Sequence, residues 1–204
     1  MLFNGDVLVE ARPRLTSANI PEGVTTIDRN AFYECFDLTS VTIPESVTSI
    51  GSSAFSETGV IKDESNWEDG VLYISNCLIK ARAEVTDAYT IKDGCRVIAD
   101  NAFGECDKLS SVTIPNSVTH IGSSAFSGCR QLSSVTLPGS VTNIGQYAFS
   151  SCSGLTTINL PNSVMNIGDY AFSGCSGLTS ITIPSSVTSV GNRAFRNCLF
   201  ATDN

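Results

Sequence analysis

Residues 109–129 read L-S-S-V-T-I-P-N-S-V-T-H-I-G-S-S-A-F-S-G-C, from Leu109 to Cys129, and the flanking sequence repeats the same letters. Pro115, Pro138, Pro161 and Pro184 fall 23 residues apart. So do Phe103, Phe126, Phe149, Phe172 and Phe195, and so do Cys106, Cys129, Cys152, Cys175 and Cys198. Three residue types that share one period and phase define a repeat array. Earlier copies run from Leu38 to Thr58 and, in part, from Ile20 to Cys35. Phe55 to Phe103 is 103 − 55 = 48 residues, two periods plus two, so one degenerate unit lies between them.

Within a unit, Val112 and Ile114 alternate inward while Ser111 and Thr113 face outward, the period of a strand. Leu109 enters the core from the preceding turn, and Pro115 ends the strand because it has no ladder donor. Val118 and Ile121 point inward from a second extended segment. Gly122 then turns the chain; Asp28 and Ala99 hold that position in two copies, so a left-handed backbone there is not obligatory. The spacing of Ala125, Phe126 and Cys129 predicts a single helical turn. No such unit buries its apolar face alone, and stacking joins the units into one core.

The whole chain has 204 residues, 12 Lys+Arg against 20 Asp+Glu and a net charge of −8. A hydrophobic fraction of 42% supports a folded core. The acidic balance argues against nucleic acid, which needs a basic stripe, and no run of apolar residues is long enough for membrane insertion. MLFNGDVLVE carries no signal-peptide pattern. Residues 1–100 hold 16 acidic and 8 basic side chains while residues 101–204 hold 4 of each, so the scaffold carries two surfaces of different character.

Residues 59–90 leave the pattern. V-L-Y-I-S-N-C-L-I-K reads as a hairpin turning at Ser75-Asn76. D-V-L-V-E-A-R near the N-terminus resembles its second strand, so residues 1–19 are read as part of the same variant unit. The expected organisation is one domain over 1–204: a partial variant repeat (1–19), repeats (20–58), a variant insert (59–90) and regular repeats (91–199). LFATDN, after Cys198, offers no polar cap; a longer natural protein, or self-association through the repeat edges, is expected to cover it.

Chemistry beyond packing is sparse. Six of the eight cysteines hold one repeat position, and Thr58 replaces it once, which marks a reduced, buried ladder. Cys77 and Cys95 lie outside it and are the one pair to test for a disulfide. His120 is the sole histidine, at a variable exposed position; there is no CxxC and no nucleophile elbow, so no metal, no cofactor and no enzyme activity are expected. Asp63, Glu64, Glu68 and Asp69 around Trp67 do not match a calcium loop. Trp67 is the candidate loop anchor, an exposed aromatic side chain among charges. The candidate binding surface is the outward face of the strands: Ser111, Thr113, Ser134, Thr136, Thr157, Asn159, Ser180 and Thr182. Such a neutral hydroxyl carpet either satisfies itself across strands or binds weakly and gains by avidity.

The units L-S-S-V-T-I-P-N-S-V-T-H-I-G-S-S-A-F-S-G-C and L-T-S-I-T-I-P-S-S-V-T-S-V-G-N-R-A-F-R-N-C resemble the BspA-type leucine-rich repeats of bacterial surface proteins. The resemblance implies an α/β, β-rich fold: a right-handed leucine-rich-repeat solenoid with a parallel concave sheet, short helical turns and one variant hairpin-like repeat. It also implies an extracellular or cell-surface location and a recognition module that binds host protein or glycan. The other reading is a structural spacer of a larger surface protein. One outcome follows from the repeat alone. Phe149→Ala should cost about 3–5 kcal/mol on chemical denaturation, and a loss below about 1 kcal/mol would contradict a buried Phe ladder.

Overall fold

The computed structural model describes residues 1–200; residues 201–204, the end of LFATDN, lie outside the described residues. The fold is a β-solenoid with parallel sheets and very little helix. Strands Leu109–Thr113, Ser134–Thr136 and Thr157–Asn159 pair in parallel, preceded in the same sheet by Asp87–Thr90. Their register puts Ser111 beside Ser134 and Thr157, and Thr113 beside Thr136 and Asn159, so one sequence period is one rung. Ser17–Asn19 and Ser40–Thr42 make the same pairing in the N-terminal block. The second extended segment also forms a ladder, through His120–Ile121, Asn143–Ile144, Asn166–Ile167 and Ser189–Val190.

Between the ladders lies the core. Leu109, Val112, Ile114, Val118, Ile121 and Phe126 are buried, as the alternation predicts. Phe103, Phe126, Phe149, Phe172 and Phe195 stack with ring centroids 5.1–5.5 Å apart and planes within 9° of parallel. Offset stacking of this kind adds to the area each ring buries.

The stretch from Ala125 to Cys129 is not a helical turn. Ser127 N and Cys129 N close i→i+3 turns onto Ser124 O and Phe126 O, whereas Ser124 N, Phe126 N and Gly128 N donate to Gln146, Ala148 and Ser150 O of the next coil at 2.7–2.8 Å. Every second amide belongs to a neighbour, so an i→i+4 pattern cannot form. Ser124 (φ 54) and Gly128 (φ 77) stand in the left-handed region that aims those amides outward.

Gly122 is not left-handed. Its reason is close approach: a Cβ there would stand 2.7 Å from Ala99 C, Asp100 N and Ile98 O of the preceding coil. Asp28 and Ala99 occur at this position only where the preceding neighbour is a hairpin unit, to which Asp28 N and Ala99 N donate through Leu8 O and Leu78 O.

The insert forms the hairpin read from the sequence, Val71–Ile74 against Cys77–Ala81, with Ser75 (φ 51) in the turn. Its side chains divide between two cores: Val71, Leu78 and Ala81 pack with the C-terminal repeats, and Leu72, Ile74, Cys77 and Ile79 with the N-terminal ones. Burial on both faces explains the unbroken apolar run. Leu2–Asn4 against Val7–Glu10 has the same geometry at the N-terminus. Ala11 N donates to Ala31 O as Ala81 N does to Ala102 O, both at 2.7 Å. Arg96 fastens the blocks together, its guanidinium donating to Pro44, Glu45 and Val47 O.

All eight cysteines are buried and free, Cys77 and Cys95 included. Cys129, Cys152, Cys175 and Cys198 each donate Sγ–H to the carbonyl of the previous coil's Phe103, Phe126, Phe149 or Phe172 at 3.1–3.2 Å. Burial pushes every thiol up, Cys95, Cys106 and Cys198 to about 11 and Cys77 and Cys175 to about 12.

Gly145→Ala would press a methyl to 2.6–2.7 Å from the backbone of Gly122 and Ser123 and should cost about 1–3 kcal/mol by denaturant titration; Ala99→Gly should not stabilise. The raised thiols keep stability level below the unfolded thiol value of 9.0. Above it the unfolded chain ionises first, so melting temperature should fall steadily as pH rises toward the folded values. At neutral pH a thiol reagent should label all eight cysteines rapidly only after unfolding.

Candidate functional site

The candidate surface is built by the first ladder. Thr113, Ser134, Thr136, Thr157 and Asn159 are exposed and Ser111 is half-buried, on alternate positions whose intervening Val112, Val135 and Ile158 enter the core. Among the described residues none of these six side chains makes a hydrogen bond to protein. The carpet therefore does not satisfy itself. It is the position just before each strand that does: Ser133 Oγ donates to Ser110 O at 3.0 Å and Thr39 Oγ1 to Thr16 O at 3.3 Å. Ser180 and Thr182 are exposed and continue the rows by spacing, but the ladder pairing stops at Thr157–Asn159.

The second ladder repeats this bond and adds one between strands. Thr48, Thr142 and Thr188 donate to the carbonyls of Thr25, Thr119 and Met165 one coil back, and Asn166 Nδ2 donates to Asn143 Oδ1. His120 is half-buried there, with Nδ1 2.8 Å from Thr119 Oγ1, and burial lowers its pKa. Near this ladder the structure adds a strip that sequence reasoning missed: Tyr147 stacks on Tyr170 at 4.8 Å, and Arg193 reaches the Tyr170 hydroxyl at 2.9 Å. Its signal was available, since the three residues follow one another at 23-residue steps.

Trp67 is not a free, exposed anchor. It is half-buried in the strand Trp67–Glu68, its Nε1–H donates to Ile61 O at 2.8 Å, and the Arg82 guanidinium lies 4.2 Å from its ring centre. Three of the four surrounding acids are engaged as well. Glu64 accepts two hydrogen bonds from Arg82 at 2.8 Å, Glu68 pairs with Lys92, and Asp63 accepts from Ser65, which holds its carboxyl below the usual range. The insert is thus tied to the repeats that follow it.

Trp67 also borders a cleft of about 680 Å³ between the coil that ends at Thr58 and the coil of Phe103, with Phe55, Ile79, Ala83 and Asn101 on its walls. Asp100 lines it too; burial raises its carboxyl while Ser123 N, donating at 2.7 Å, and Ser52 N oppose that rise. Among the described residues no group of three or more His, Cys, Asp or Glu side chains is placed to hold a metal ion, and no helix is long and apolar enough to cross a membrane.

Comparison with known proteins places this geometry. The profile described as BspA type Leucine rich repeat region matches in six copies over residues 10–84 and 81–201. Among solved structures the chain is similar to a leucine rich cell surface protein from Faecalibacterium prausnitzii, at 31% identity and a TM-score of 0.62 over 92% of this chain and 59% of that one. It is similar to a leucine rich repeat protein of T. pallidum at 30% identity and a TM-score of 0.50, over 92% and 78% of the two chains. The pneumococcal vaccine antigen PcpA shares the fold at 21% identity and a TM-score of 0.59, over 88% and 55%. The chain thus spans 59% of the length of the Faecalibacterium protein. Curated proteins give no match. The chain belongs to the BspA-type leucine-rich-repeat family.

Proposed function

We propose that this chain is a non-enzymatic recognition module of a bacterial surface protein, binding host protein or glycan through the hydroxyl rows of its first ladder. The observation that carries the reading is the contrast between two kinds of hydroxyl on that ladder. Just before the strands, Thr39, Ser133 and Thr156 close onto carbonyls one coil back; within the strands, Ser134, Thr136, Thr157 and Asn159 are exposed in register and engage no protein partner among the described residues. An uncharged surface with free donors and acceptors suits a polymer that offers hydroxyls or peptide groups at repeated spacing. Hydrogen bonds to such a ligand replace bonds to water, so each adds only about 0.5–1.5 kcal/mol and affinity rests on many of them. The similar Faecalibacterium structure is of a cell surface protein, which supports a surface location. The remaining chemistry points the same way: Glu64 and Glu68 of the insert are paired with cations, and burial keeps the thiols protonated.

The test is binding of purified protein to an immobilised panel of host matrix proteins and glycans, beside a Ser134→Glu/Thr136→Glu variant shown to be folded by circular dichroism. Saturable binding that the variant loses by about tenfold or more is expected. Absence of binding to every member of the panel, with both proteins folded, would favour the spacer reading. Light scattering that shows mass growing with concentration would then place the contacts at the repeat edges.

A further inference from the structure

A regular coil in this solenoid is finished by the coil that follows it. Asn30, Phe32 and Glu34 donate their amides to Ser52, Ala54 and Ser56 O at 3.2, 2.7 and 3.2 Å, and Tyr147, Phe149 and Ser151 donate to Asp169, Ala171 and Ser173 O at 2.7–2.8 Å. The coil that ends at Thr58 breaks this rule inside the array. The equivalent amides of Ser53, Phe55 and Glu57 meet no acceptor among the described residues, backbone or side chain. The insert follows in the chain and answers the far wall: Ala81 N donates to Ala102 O at 2.7 Å, and Lys80 Nζ to Asn101 O at 3.1 Å. Lys62 pairs with Glu57 on the near wall, and at one end the walls meet directly, Asp100 N donating to Ile50 O at 2.9 Å. Asp100 O and Gly104 O, which correspond to Ser52 O and Ser56 O, receive no donor among the described residues.

The aromatic stack is interrupted at the same place. Phe55 stacks on Phe32 at 5.2 Å and has no following ring, while Phe103 begins a new stack. The cleft of about 680 Å³ lies in this gap. A volume of that size is typical of a ligand site. One wall presents three amides at alternate residues, and the other presents carbonyls at Asp100 and Gly104. Donors facing acceptors across a slot are the two edges of a missing backbone rung.

We propose that this cleft binds an uncharged peptide segment of a partner protein, whose carbonyls take the amides of Ser53, Phe55 and Glu57 and whose amides reach Asp100 O and Gly104 O. A peptide backbone carries both sets of groups at alternate residues, the mode of strand addition. An anion would supply acceptors alone. Lys80 and Arg82 line the cleft together with Glu57, Glu84 and Asp100, so no single sign of charge is favoured. Ala54, Ala81, Ala83 and Gly104 keep the walls low enough to admit side chains. The site is separate from the hydroxyl rows and stands or falls without them.

The probe is the capped peptide Gly-Ser-Ser-Ala-Phe-Ser-Gly, a copy of residues 122–128 and so of the rung these amides would meet in a regular coil. Nitrogen-15-labelled protein is followed by amide resonances and hydrogen exchange. In the free protein the Phe55 amide should exchange faster than those of Phe126 and Phe149. Peptide should shift the Ser53, Phe55 and Glu57 resonances saturably in the millimolar range and slow their exchange. Ala83→Trp, which fills the cleft from an exposed wall position, should weaken this binding by about tenfold with the melting temperature unchanged. If that variant does not fold, the exchange comparison in the unaltered protein decides alone. A Phe55 amide as protected as that of Phe126 without peptide would overturn the proposal, because the rung would already be filled. So would peptide shifts confined to other residues, or the same shifts produced by sodium acetate.

Discussion

The structure depends on how each A-F turn divides its backbone amides. In a regular coil alternate N–H groups close the turn itself, and the others cross to the carbonyls of the next coil. A buried amide left without a partner costs about 1–3 kcal/mol, so three such donors per coil hold the stacking register firmly. The left-handed residues at Ser124 and Gly128 serve this division, since they aim the crossing amides along the stack. The close approach it demands leaves no room for a Cβ at Gly51, Gly122, Gly145, Gly168 or Gly191, each of which faces backbone of the coil before it. The stacked phenylalanines then occupy the space that the backbone spacing creates.

The same constraint explains why one residue can end the first block. Where the other copies have a cysteine whose thiol reaches back to the previous coil, Thr58 turns to its own chain. Its hydroxyl donates to Phe55 O at 2.7 Å and accepts from Ile61 N, capping the helix Gly59–Lys62. A thiol is a weak acceptor and would cap poorly; a hydroxyl of similar size does both jobs while fully buried. The insert that begins there supplies a hairpin rather than an A-F turn. Each of its faces closes one core, and the three crossing amides of the preceding coil are left facing an open cleft.

The repeat, its strand alternation and the hairpin were legible because each rests on a local pattern: a 23-residue phase, a two-residue period, and an apolar run around Ser75-Asn76. The match between the N-terminal segment and the insert was legible through the shared A-R pairs. What failed were readings that depend on neighbours. Ala125, Phe126 and Cys129 have helical spacing, yet the amides of Ser124, Phe126 and Gly128 in that stretch are claimed by another coil. Gly122 looked like a conformational glycine and is a steric one. Trp67 stands among charges in the sequence, but Arg82 covers its ring from a position 15 residues on. The cleft left only indirect traces, Thr58 and the 48-residue step from Phe55 to Phe103.

Free hydroxyls and a fixed register have one further consequence for recognition. Strands in a ladder lie about 4.8 Å apart, so Ser111, Ser134 and Thr157 present the same group at that interval, and Thr113, Thr136 and Asn159 form a parallel row two residues away. One rung offers two weak contacts and little specificity. Several rungs offer a lattice, and a ligand would be selected by whether its own repeat keeps pace with it. Binding strength on such a face grows with the number of rungs engaged, because each contact after the first is intramolecular. A solenoid can therefore gain affinity by adding copies of an unchanged unit, whereas a site built from unique side chains must evolve each contact separately. The hairpin interrupts this lattice between the Ser17–Asn19 and Ser40–Thr42 pair and the longer sheet that begins at Asp87–Thr90. A polymer laid along the rows would engage the C-terminal sheet as its continuous segment, on the half of the sequence whose charges balance.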